Sequence, residues 1–123
     1  MNNDTRTIVK AYFDAWTSNR TDDAFALLAP NLEFSGPSAR YTSAEEFRPG
    51  LIGFAAMSKG ARILELIVDG DRAALLYDCD LPEPVGTLRI ASFFTVENGL
   101  IRAYDTRFDA TEFQKLLASQ PKR

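Results

Sequence analysis

Asp78 and Asp80 are the residues of this chain with the strongest claim to chemistry. They stand in the alternating run Arg72 to Leu81, so they share one strand face with Ala74 and Leu76, while Ala73, Leu75, Tyr77, Cys79 and Leu81 share the other. Two registers are open. In one, the apolar set faces the core and both carboxylates meet water. In the other, Leu76, Asp78 and Asp80 turn into a cavity, where burial would raise the Asp78 pKa and suit it to act as a general base in proton transfer or water activation. The chain has no histidine. That removes the commonest general base and metal ligand, and with it Ser-His-Asp and Cys-His nucleophilic sites. Any catalysis must rest on Asp, Glu, Tyr, Lys, Arg or ordered water, with no metal or cofactor called for. The single cysteine, Cys79, reads as a small buried hydrophobe and cannot form an internal disulfide.

Two further patterns place polar groups beside apolar ones. Tyr12 and Trp16 lie one helical turn apart, where phenol and indole can present polar tips to a cavity; plain core packing gives the same pattern. Ser92 is the one polar member of a face formed by Leu88, Ile90, Phe94 and Val96. It is either a hydrogen-bond donor to a ligand or a buried hydroxyl bonded to a neighbouring strand.

The elements that must position these residues are legible from periodicity. Asp4 to Ser18 reads as an amphipathic helix with Asp4 as N-cap and Ile8, Val9, Tyr12, Phe13 and Trp16 on one face. A second helix is expected from Asp22 to Ala29, capped by Thr21, burying Phe25 and Leu28 and stopped by Pro30, followed by a strand from Asn31 to Ser35. Gly36-Pro37 turns the chain. Ser43 and Glu46 then form a capping-box pattern for a third helix, which Pro49 is expected to kink or divide before Met57. Ala61 to Val68 and Arg72 to Leu81 form one hairpin about Asp69-Gly70-Asp71, and Pro82-Glu83-Pro84 breaks the chain. Gly86 to Val96 and Leu100 to Phe108 form a second hairpin, and a short helix carrying Phe113, Leu116 and Leu117 starts at Asp109 and Glu112. Pro121 to Arg123 is expected to fray.

The second hairpin has two possible registers. A two-residue Asn98-Gly99 turn sets Glu97 opposite Leu100 and Ser92 opposite Asp105. A three-residue loop with a glycine bulge sets Val96 opposite Leu100 and Ser92 opposite Tyr104, and packing favours it. It gathers Leu88, Ile90, Phe94, Val96, Leu100, Tyr104 and Phe108 on one face. Arg89, Ala91, Phe93 and Thr95, with Ile101, Ala103, Asp105 and Arg107, are left on the other.

A chain of 123 residues, 46% hydrophobic, with a formal charge of -3, fits one domain over residues 1-123 with a real core. No basic stripe suits nucleic acid or an anionic membrane, no apolar run approaches a membrane span, and the start lacks a signal peptide's features. A cytoplasmic protein is expected. Helices ahead of four long antiparallel strands give an α+β fold, a strongly curved sheet wrapped around about three N-terminal helices and enclosing a concavity.

This order of elements, with Val9 to Trp16, Tyr41 to Phe47, and Phe94 to Ile101 leading to Phe108-Asp109, resembles the nuclear transport factor 2-like superfamily, which includes ketosteroid isomerases, limonene epoxide hydrolases and SnoaL-like cyclases. The resemblance implies a cone-shaped fold and places Tyr12 where isomerases carry an oxyanion-stabilising tyrosine. The isomerase base falls near Ser35 or Gly36 and its second oxyanion donor on Ser92; the epoxide hydrolase triad falls on Ile90, Ser92 and Thr106; the cyclase acid falls on Thr106. No carboxylate stands at any of these positions. The resemblance also favours the inward register for Asp78 and a homodimer through the outer sheet face.

The reading that follows is a homodimeric pocket protein for a small apolar or polycyclic ligand, with Asp78 as base, Tyr12 as donor, and Trp16, Phe34, Phe54, Leu76, Asp80, Ile90, Ser92, Tyr104, Thr106 and Phe108 around the ligand. It is either a cofactor-free isomerase-, hydrolase- or cyclase-type enzyme or a non-catalytic binding or assembly module.

Overall fold

The computed structural model describes residues 4–119; the expectation about Pro121 to Arg123 lies outside them. Helix α1, Thr5–Thr17, starts where the Asp4 carboxylate accepts the Thr7 N–H at 2.7 Å, satisfying one of the first turn's free donors. Its buried face holds Ile8, Val9, Tyr12, Phe13 and Trp16. Helix α2 is a single turn, Thr21–Phe25, shorter than its local pattern predicts. Leu28, Ala29 and Pro30 belong instead to strand β1, Leu28–Ser35. Tertiary pairing overrides local propensity here: the Leu27 carbonyl accepts the Ile101 N–H, which draws the segment alongside the C-terminal hairpin.

Strand β2 is Arg40–Tyr41 and helix α3 is Ala44–Met57. Ser43 caps α3 through the Glu46 N–H, and the Glu46 carboxylate reaches back to the Thr42 N–H at 3.0 Å. Pro49 does not divide α3, which runs through it as one helix. Strands β3, Gly60–Asp69, β4, Arg72–Leu81, β5, Gly86–Glu97, and β6, Leu100–Arg107, follow, and α4, Thr111–Ala118, closes the described chain. Asp109 does not cap α4 by a box; its carboxylate accepts the N–H of Thr111, the first residue of the helix.

The six strands form one sheet in the order β2-β1-β6-β5-β4-β3, antiparallel except for the β1–β6 pair. The helices lie on its concave side, giving the curved α+β architecture that the element order implies. Irregularities at Leu64 in β3 and Arg102 in β6 add twist.

The β5–β6 hairpin corrects the expected turn. It is the two-residue Asn98-Gly99 form, with both residues at positive φ (55° and 79°) and Glu97 opposite Leu100. The extra residue, Arg102, then shifts the pairing so that Ser92 stands opposite Thr106 and Phe94 opposite Tyr104. Face parity beyond the bulge is that of the three-residue alternative, but Ile101, expected outside, is fully buried.

On β4 the apolar set, Ala73, Leu75, Tyr77, Cys79 and Leu81, faces the helices. Leu76, Asp78 and Asp80 therefore lie on the outer face, against the inward register. The reason is packing: the Tyr77 ring meets Phe13 at 5.1 Å and Trp16 at 5.9 Å between centroids. A one-residue slip would put two carboxylates among those rings with no cation to balance them.

Candidate functional site

Between the concave sheet, α3 and α4 lies a cavity of about 400 Å³. Trp16 of α1 supplies one wall, Phe34 of β1 and Ile90, Tyr104 and Thr106 of the β5–β6 hairpin another, and Phe54 and Phe108 stand nearer α4. The structure thus brings seven of the residues expected around a ligand to one surface. It adds Tyr77, Tyr41, Phe47, Leu51 and Met57, the Gly36 to Ala39 loop, two glycines of α3, and Phe113 and Leu117 of α4. Tyr77 was missed because the inward register for Asp78 would turn it outward. Phe47, Leu51 and Met57 were missed because the distance between α3 and the sheet is not legible from the α3 segment alone.

Of twenty lining residues, nine are aromatic and none is Asp, Glu, Lys or Arg. The polar groups are hydroxyls. Ser92 and Thr106, facing each other across β5 and β6, are joined by a buried hydrogen bond of 2.9 Å between their hydroxyls. Ser92 is fully buried beneath the lining, and of the two only Thr106 reaches the cavity. Burial pushes the phenols of Tyr12 and Tyr77 well above their ordinary range. Burial also raises Tyr104, offset in part by the hydroxyls of Tyr12, Thr106 and Ser92 nearby. All three phenols therefore keep their protons at neutral pH and are not bases.

Tyr12 does not line the cavity. It is fully buried behind Tyr104, ring centroids 5.4 Å apart at 88°, and its hydroxyl has no partner within hydrogen-bonding geometry. Asp78 and Asp80 are further away still, across the sheet. The Asp78 carboxylate accepts two hydrogen bonds from Arg89 at 2.9 and 3.0 Å, which hold its pKa below the usual carboxylate range. Asp80 accepts from Arg62 and Thr87 and is held at about 2. These are ionised acids in structural pairs, the reverse of a desolvated base. Leu76 lies on the same outer face. Among the described residues no His, Cys, Asp and Glu side chains cluster in a way that could hold a metal ion, and no helix is long and apolar enough to cross a membrane.

A curved sheet closed by helices over its concave side defines an α+β fold of the nuclear transport factor 2-like, or cystatin-like, kind. More narrowly, the chain belongs to the SnoaL-like domain family, whose profile matches residues 9–104. Among solved structures it is similar to a protein of Kribbella flavida, 27% identical with a TM-score of 0.87, the match covering 97% of each chain. A candidate polyketide cyclase of Sinorhizobium meliloti is 26% identical with a TM-score of 0.73 over 80% of this chain and 92% of that one. A candidate ketosteroid isomerase of Kribbella flavida, 21% identical with a TM-score of 0.73 over 97% of this chain and 82% of that one, shares the fold. No curated protein matches the sequence.

Proposed function

We propose that residues 1–123 work as one domain that binds a neutral, largely apolar small molecule in the aromatic cavity. One observation carries this: a hollow of about 400 Å³ whose twenty lining residues hold aromatic rings and hydroxyls but no carboxylate, ammonium or guanidinium group. Such a lining gains from burying apolar surface and offers hydrogen bonds to one or two oxygens, whereas an ionised ligand would be desolvated with no countercharge. Trp16, the only tryptophan of the chain, stands in the cavity wall and makes occupancy measurable. Titration with neutral two- to four-ring aromatics and steroids should change Trp16 emission saturably, and the charged carboxylates of the same skeletons should bind at least about tenfold more weakly. Equal binding of the carboxylates, or no response to any neutral compound, would refute the proposal.

A second reading makes the same site catalytic, of the cofactor-free isomerase or cyclase type. It is favoured by the hydroxyl cluster, which can polarise a carbonyl, and by the similarity to the candidate polyketide cyclase. It lacks a base at the cavity, because Asp78 is tied to Arg89 outside. Mass spectrometry of bound compounds after incubation separates the two: a binder returns its ligand unchanged. In either case Asp78→Asn should alter neither binding nor turnover.

The protein is further proposed to be a homodimer through the outer sheet face. Phe93 and Ile67 are 48% and 58% exposed there, beside Ala74 and Ala103 in a shallow hollow that also includes Arg72 and Asp105.

A further inference from the structure

We propose that α4 is a lid that swings about Phe108 to Ala110 to admit and release ligand, latched shut by Gln114 on Ser38. This rests on the reading of the cavity as a site for a neutral apolar molecule and identifies its entrance.

Five of the twenty lining residues are exposed, and they define the mouth: Pro37 and Ser38 of the turn after β1, Gly50 and Gly53 of α3, and Leu117 of α4. The other lining residues are buried or half-buried. The α3 side of the mouth carries no side chain at its two glycines, so α4 is the element that covers it. Little holds α4 in place. It leaves β6 through Phe108 to Ala110, which belong to no helix or strand, and no strand pairs with it. Leu116 is buried, and the Phe113 ring meets those of Phe54 and Phe108 at 5.8 and 5.4 Å between centroids. Among the described residues a single side-chain hydrogen bond ties α4 to another element, from the Gln114 amide to the Ser38 hydroxyl at 3.4 Å. That bond spans the mouth. Both of its residues are exposed, so water replaces it at small net cost when it breaks. An eight-residue helix is too short to persist once unpacked, which makes α4 a unit of low local stability beside a sheet that stays intact. Its opening uncovers the mouth; its return seats Phe113, itself a lining residue, over the ligand.

The test is to tie the latch. In the double variant Ser38→Cys, Gln114→Cys the bifunctional reagent 1,2-ethanediyl bismethanethiosulfonate joins the two thiols, and dithiothreitol releases them. Cys79 is fully buried, and wild type treated alike is the control. The variant is loaded with 9-fluorenone, a neutral ketone, before it is bridged, and exchange is followed by stopped flow through Trp16 emission. Bridging should slow fluorenone release at least about tenfold, and reduction should restore the original rate. In a separate variant, Gln114→Ala should raise the association and dissociation rate constants together, about threefold each, with their ratio within about twofold. A helix that served only as a wall would change affinity without this paired change in rates. If the bridged protein releases fluorenone as fast as its reduced form, or if the mass of the bridge never appears, the lid assignment is wrong and the apolar pocket stands. Unchanged rates in Gln114→Ala would overturn the latch. If fluorenone leaves the Trp16 emission of the wild type unaltered, the pocket reading falls, and the lid with it.

Discussion

Asp80 illustrates what a well-placed acid does when it is not catalytic. Hydrogen bonds from Arg62 and Thr87 hold it at about 2, below the roughly 3.9 of a free aspartate. Its ionised form is thus favoured by folding above about pH 4, and the contribution disappears as pH falls from about 4 to about 2. Urea melts over that interval should show a shallower loss of stability for Asp80→Asn than for the wild type; parallel curves would mean that the pair with Arg62 contributes nothing. Tyr12 poses the opposite case. A buried hydroxyl without a partner costs desolvation and returns no bond, so Tyr12→Phe should leave the fold as stable as before or raise it by about 1 kcal/mol, measured by the urea midpoint. A loss of more than about 1 kcal/mol would show that the hydroxyl is satisfied in the folded protein. The residue types at these positions were plain from sequence, but their surroundings were not. Alternation assigns Asp78 and Asp80 to a common face without saying which way that face looks, and the aromatic packing of Tyr77 on α1 decides it.

At the scale of elements, α3 is the wall that sets the size of the cavity. Gly53 borders the cavity at an exposed position mid-helix, and a Cβ added there meets nothing within 4 Å. Gly53→Ala should stabilise the protein by up to about 1 kcal/mol through helix propensity alone and leave binding intact. Gly53→Leu should keep most of that gain while abolishing the Trp16 response to ligand; retained response would place the ligand elsewhere. The long strands and α1 were legible because their apolar periods run for ten residues or more. The α2–β1 boundary was not, since Phe25 to Ala29 is short enough to read as helix until β6 is there to pair with it. The hairpin shows how partial such legibility is: Asn98-Gly99 announces the turn, yet the bulge at Arg102 that decides whether Tyr104 or Thr106 meets Ser92 has no local signature.

For the molecule as a whole, the outer face of the sheet is the surface on which assembly would act. The proposed homodimer predicts a light-scattering mass of twice the chain, reduced to one chain by Phe93→Arg, with Trp16 titrations unaffected because the cavity opens on the other side of the sheet. A wild-type monomer would end the dimer proposal. The family and the curved architecture were readable from the order of elements; the identity of the ligand is not encoded in that order, because the fold carries many chemistries and only the lining distinguishes them. The parallel pairing of β1 with β6 joins Leu28–Ser35 to Leu100–Arg107 across the whole of α3 and β3 to β5, and the Thr5 hydroxyl donates to the Gly70 carbonyl at 2.7 Å. Such distant partners make folding slow to nucleate and late to complete. A chain emerging from the ribosome would hold the apolar side of α1 uncovered until the last hairpin is released. The sheet can acquire its central β6 only after β3, β4 and β5 have been made, so nascent chains of this protein should depend on a chaperone until Leu100–Arg107 has left the ribosome.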